Sequence, residues 1–246
     1  MLGELALTLG QWRSSAGDER WDEAHHHLVS LLVDALREAP IASYPDEVWP
    51  IDTVVALLAV RLHDLAFEVP EREALFRAAL DALDVDHGEG LPPSRVDTHT
   101  PLPPRGSDLS WRLVMLHDLD AERARAMYTR YVDAFWRSGG LTSGFAEWQD
   151  GRAASDVDSG PIFEGVGATA STFGIATTLA FGDERRRRRL LRQVPLGRRL
   201  VEEADGARIA GFPVDAAWVT GSLMGDATLF YAITWRASTP RGAVTP

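Results

Sequence analysis

Four carboxylates, Glu47, Asp52, Glu147 and Asp158, stand in stretches dense with aromatic and polar residues, and paired carboxylates can divide the work of a general acid and a general base. Such a pair needs two different environments, so that one member stays protonated while the other is ionised. The densest stretch is Ser43-Tyr44-Pro45-Asp46-Glu47-Val48-Trp49-Pro50-Ile51-Asp52, with two aromatics and three carboxylates directly before an apolar run. Tyr44, Trp49, Trp111 and Trp148 are candidate apolar walls or stacking platforms for a substrate. Arg95 and Arg105, with Asp97 nearby, lie in a loop rich in Pro, Gly and Ser. They suit a carboxylate or a hydroxyl-rich ligand, or could hold the loop by pairing with Asp97 or Asp86.

Each assignment has a plainer competitor. Asp52, Asp108, Asp158 and Asp215 all fall at or near the expected start of a helix, where a carboxylate satisfies free N–H groups for about 1 kcal/mol. The tryptophans are equally suited to a core. Seven histidines are present, but His25, His26 and His27 are consecutive and on a helix point about 100° apart, so the sequence predicts no metal site. Gly165-Val166-Gly167 lacks the strand and the third glycine of a nucleotide fingerprint, and no cofactor is expected.

The elements that must position these residues are helices. Apolar residues recur at helical spacing over 2–12, 19–38, 51–67, 71–84, 108–117, 121–136, 160–180, 184–203, 213–224 and 227–236. Short turns near 14–18, 68–70, 118–120, 181–183 and 224–226 alternate with long loops near 38–50, 86–107, 138–159 and 204–212. Helices after long loops are apolar or built of small residues; those after short turns are amphipathic and charged. If neighbours run antiparallel, every long loop emerges at one end. The expectation is an all-α fold, an (α/α)6-type toroid incomplete at five hairpins, with residues 1–237 as one domain and 238–246 as a flexible tail. A plain bundle or an α-solenoid is the alternative, although no fixed-length repeat is visible.

Composition narrows the partners. A formal charge of −11 argues against a phosphate-backbone binder, and nucleic acid is excluded on that ground. All 25 basic residues are Arg, a bias read as that of a GC-rich bacterial genome. With no Cys, disulfides and thiolate sites are excluded. No apolar run reaches the length of a membrane span and no leader pattern opens the chain, so a cytoplasmic protein is expected. The Arg185–Arg189 run reads as a solvated helix face. A homo-oligomer is compatible with all of this.

Three segments, Tyr44–Asp52, Asp158–Pro161 and Gly221–Asp226, resemble the linalool dehydratase/isomerase-like group of bacterial α/α-toroid proteins, itself similar in architecture to toroidal glycoside hydrolases and epimerases. The resemblance implies acid–base chemistry in a central cavity, with Tyr44 and Asp52 as the matching candidates. That dehydratase carries cysteines in its pocket and this chain has none, so what carries over is the scaffold. The expected activity is hydrolysis, elimination or epimerisation of a hydroxylated small molecule, most simply a sugar or glycan. The alternatives are a cysteine-free dehydratase or isomerase of a terpenoid alcohol and a non-catalytic binding module.

Overall fold

A computed structural model describes residues 2–38, 40–70, 72–83, 90–97, 101–156 and 158–202; the side chains of Asp97 and of 195–202 lie outside that description. The expected helices at 213–224 and 227–236, with Asp215, also fall outside it. The described chain is mostly helical, with eight helices and three small antiparallel ladders. None of the helices is long and apolar enough to cross a membrane.

The fold divides into two compact units. The first holds the described residues up to Pro103 together with Met115–Ala124, and the second holds Pro104–Val114 and the described residues from Arg125 onward.

In the first unit the central element is α3 (Pro50–Ala66), in which 13 of 17 residues are buried. Pro50 at its first turn has no N–H to lose there and a φ already suited to a helix. Its end is set by Glu68 at φ 52, after which the Val69 N–H bonds back to the Asp64 carbonyl. Helix α1 (Leu2–Ala16) lies on α3 through Gly3, Ala6, Leu7 and Gly10. A Cβ at Gly3 would meet Val55 at 3.3 Å and one at Gly10 would meet Leu62 at 3.2 Å, so the missing side chains let the helices approach. Helix α2 (Asp22–Glu38) buries only the stripe His25, Val29, Leu32, Val33 and Leu36, and α4 (Glu73–Leu83) only Phe76, Ala79 and Leu80. Helix α1 packs more extensively on α3 than on α2, and α2 in turn touches α4. Strand β1 (Glu47–Val48) pairs with β2 (Val96–Asp97), tying the two long loops of this unit together.

Helix α5 (Gly106–Leu119) begins in the second unit, where Gly106 to Ser110 are all buried, and α6 (Ala121–Phe135) follows it. Strand β3 (Trp136–Ser138) pairs with β4 (Ser143–Phe145), and β5 (Ile162–Phe163) with β6 (Val166–Gly167). Helix α7 (Ala168–Ala180) packs on α8 (Glu184–Glu202). The helix expected over 160–180 therefore starts eight residues later. Gly160 at φ 60, Glu164 at φ 50 and Gly165 at φ 77 bend the chain into a hairpin that a helix cannot contain.

Polar groups on these buried faces are matched across elements. Ser110 donates to the Ala170 carbonyl at 2.8 Å, and its Oγ lies 2.6 Å from the Tyr131 hydroxyl. Thr177 donates to the Ser110 carbonyl at 2.6 Å. Tyr131 stacks on Phe145 at 4.7 Å, and neither is exposed. Against that fixed ring lies Gly174, where a Cβ would come within 2.5 Å of Phe145 Cδ2. Gly174→Ala is therefore expected to cost about 1–3 kcal/mol from overpacking. Chemical denaturation measures it, and a variant as stable as the parent would show that Phe145 can move.

Candidate active site

The sequence candidates separate into two clusters, one in each unit. In the first unit, Tyr44 and Glu47 close a tight turn through Asp46, whose φ is 65. Glu47 faces Asp97 in the β1–β2 register. One Glu47 oxygen accepts from the Trp49 indole at 3.1 Å and the other from Arg95 at 3.2 Å. Ser43 Oγ accepts the Trp49 backbone N–H at 3.1 Å, which orients the residue entering α3. Asp52 follows in the first turn of α3, half-buried, and Tyr44 is 64% exposed. Arg95 thus pairs with Glu47; the partners suggested from sequence, Asp86 and the Asp97 side chain, lie outside the described residues.

The second cluster is built on Arg105, in the loop entering α5. Its neighbour Gly106 permits the entry, since a Cβ there would collide with the Ala146 carbonyl. The Gly106 N–H donates to the Glu147 carbonyl at 2.9 Å, and Arg105 bridges Trp148 in antiparallel fashion. That pairing brings the two side chains together: Arg105 Nε donates to Glu147 Oε1 at 2.6 Å, with both groups buried. Arg105 Nη2 donates to Asp156 Oδ1 at 2.7 Å, and Nη1 lies 3.9 Å from Asp158 Oδ2. Ser107 completes the Glu147 shell through its hydroxyl at 2.8 Å and its backbone N–H at 3.1 Å.

Asp156 also shapes its own loop. Its Oδ1 accepts the backbone N–H of Asp158 at 3.0 Å and of Ser159 at 2.9 Å, while Ser159 Oγ accepts the Asp156 N–H at 2.9 Å. Trp148 is anchored by its indole N–H on the Ala154 carbonyl at 2.6 Å, with the Arg105 and Arg152 guanidinium groups 5.2 and 4.0 Å from its ring.

The two carboxylates that share Arg105 are driven apart. Burial pushes the Glu147 carboxyl above its ordinary range, and the opposing pull of Arg105 and Ser107 only partly offsets it. Burial acts on Asp156 as well. There the Ser159 N–H, Arg105 and the Asp158 N–H outweigh it and hold the carboxyl below the usual range. Arg105 is held more basic than normal: burial disfavours its charge, but Glu147 and Asp156 more than compensate.

Four of the residues singled out from sequence, Arg105, Glu147, Trp148 and Asp158, therefore meet in this cluster. Glu147 is fully buried, so it faces Arg105 and Ser107 rather than solvent. Trp111 stacks on Phe173 at 5.3 Å with the rings 2° from parallel, and Asp108 forms a buried ion pair with Arg112. Asp156, Ser107, Ser159 and Arg152 were missed. The spacing of Asp156 and Ser159, which close a loop on themselves, was the available signal for two of them.

Two of the three consecutive histidines meet a third from another helix. His25 and His26 both contact His63 of α3, at ring-centroid distances of 5.0 and 4.9 Å. Among the described residues no set of three His, Cys, Asp or Glu side chains has the geometry to hold a metal ion.

No protein-family model matches the chain, and no curated protein matches it either.

Proposed function

We propose that the chain is an acid–base enzyme acting on a hydroxylated substrate, most simply a sugar or glycan, on an α/α-toroid scaffold. The observation that carries this reading is the opposed shift of Glu147 and Asp156 around a single buried Arg105. Asp156, half exposed and kept ionised, is the candidate anion that positions the substrate or stabilises positive charge on it, and Asp158, 66% exposed beside it, is the candidate base. Glu147 is then a positioning residue that fixes Arg105, while Trp148 is buried beneath Arg152, whose exposed guanidinium is the group available to a hydroxyl-rich ligand. The scaffold reading is supported by the alternation of α3, buried nearly all round, with α2 and α4, each buried along one stripe.

The test is a thermal-shift screen of sugars and terpenoid alcohols, followed by turnover assays on Asp52→Asn, Asp156→Asn and Asp158→Asn. A ligand that binds only the folded state raises its melting temperature. Loss of general acid–base help should lower kcat by roughly 100-fold or more in at least one Asn variant that folds normally. Unchanged turnover in all three removes the carboxylate mechanism.

A non-catalytic binding module is the second reading, favoured by one specific observation. Both oxygens of Glu47 and of Glu147 are already occupied by protein donors. It predicts ligand binding without turnover in the same assays.

A further inference from the structure

The His25–His26–His63 cluster lies wholly within the first unit and takes no part in the chemistry proposed above. His25 and His26 are adjacent on α2, and the roughly 100° between them sets their rings against His63 at interplanar angles of 84° and 81°. Phe67 closes the group, 4.2 Å from His26 and 4.9 Å from His63. His26 Nδ1 lies 2.7 Å from His63 Nε2, and His63 Nδ1 lies 3.1 Å from Asp64 Oδ1, which also forms an ion pair with Arg72.

Proton counting along this chain is restrictive. An ionised carboxylate only accepts, so the bond to Asp64 requires a proton on His63 Nδ1. The short contact between His26 Nδ1 and His63 Nε2 then has room for one proton between the two nitrogens. With neither ring charged, His26 donates and His63 accepts; with one charge, either ring donates. With both rings charged, two N–H groups would oppose each other at a separation that only a hydrogen bond permits.

Nothing nearby relieves that conflict. His25 is 1% exposed with neither ring nitrogen hydrogen-bonded. Burial first, then the neighbouring His63 and His26, lower its pKa to about 4 against the opposing pull of Asp22, so it stays neutral. From α1, Arg13 brings a cation 5.9 Å from the Phe67 ring and is paired with Asp22 and Glu19. Arg72, after α3, brings a second cation onto Asp64. On α4, Glu73 and Arg77 pair with each other in solvent, and Asp81 pairs with Arg123. Asp22 and Asp64 are thus already shared with guanidinium groups, and Glu23, exposed three residues before His26 on α2, is the other carboxylate on that turn.

We propose that the His26–His63 pair is an acid-sensitive latch between α2 and α3. It is closed while the pair holds at most one excess proton, and uptake of the second frees the N-terminal half of α2 from α3. His26 is exposed, so the triggering proton arrives directly from solvent.

Hydrogen exchange of the full chain at pH 7.5 and at about pH 5, corrected for intrinsic rates, tests the latch. The expected result is at least a tenfold greater loss of protection over residues 22–30 than over α3 in the parent. His26→Gln should abolish that selective loss, since its amide still donates to His63 but cannot take up a proton. Equal loss across both helices, no loss, or the same selective loss in His26→Gln overturns the proposal. If His26→Gln fails to fold, nitrogen NMR of histidine-labelled parent protein decides. A proton shared between His26 and His63 should be present at pH 7.5 and absent at about pH 5; its absence at the first or persistence at the second refutes the latch.

Discussion

An Arg105→Ala variant is expected to lose about 3–5 kcal/mol of stability, because it leaves the buried Glu147 carboxylate without its cation. For a chain of this size that corresponds to a fall in Tm of roughly 10 °C. The loss comes less from the attraction of the pair than from the charge left behind. Ser107 alone remains to satisfy Glu147, and Asp156 loses the donor that ties its loop to α5. With Arg105 gone, burial acts on Glu147 with little opposition. An acid held above its unfolded value favours the folded state only while protonated, so the variant should weaken further as pH rises above the carboxylate range. Replacing both partners, Arg105→Met with Glu147→Met, should recover part of the loss. Urea titration at two pH values measures all of this, and an Arg105→Ala variant within about 0.5 kcal/mol of the parent would show the pair to be dispensable.

The second large effect is on acid stability. His25 has a pKa lowered from 6.5 to about 4, and each pKa unit is worth about 1.4 kcal/mol. The sign follows from which state takes the proton. Below 6.5 the unfolded chain binds it at His25 while the folded chain does not, so stability falls as pH drops from about 6.5 to about 4, by about 3 kcal/mol in all. Unlike the latch, this term lowers the protection of the deeply buried amides of the first unit together. His25→Leu should remove it, leaving stability at neutral pH little changed because the His25 nitrogens have no hydrogen bond to lose. Thermal melts of both proteins from neutral pH to about pH 4 provide the check. An acid limb equally steep in His25→Leu would refute the assignment.

Helices were readable because their apolar periodicity is long-range and redundant. The near-continuous apolar run over 51–67 became α3, buried on several sides, as the pattern demanded. The start of α7 was not readable, because Gly, Ala and Thr suit a hairpin and a close-packed helix equally. The ladders β1–β2 and β5–β6 are two residues long, below the length at which alternation becomes visible. In the site, Arg105 and Glu147 were each legible as chemistry, but their partnership spans 42 positions and depends on Gly106 meeting the Ala146 carbonyl. The histidines show a limit of angular reasoning. Two side chains 100° apart cannot point at one atom, yet they can close on one ring from two sides.

Gly3 and Gly10, described above as allowing α1 to approach α3, have a consequence for how that helix comes to exist. Gly10, in the interior of α1, weakens it by about 1 kcal/mol relative to alanine, and Gly3 in the first turn adds no helical preference. A 15-residue segment is already marginal as an isolated helix in water. The N-terminal segment therefore has little helical tendency of its own. Its conformation leans on the surface of α3, so the helix is expected to melt wherever that surface is withdrawn.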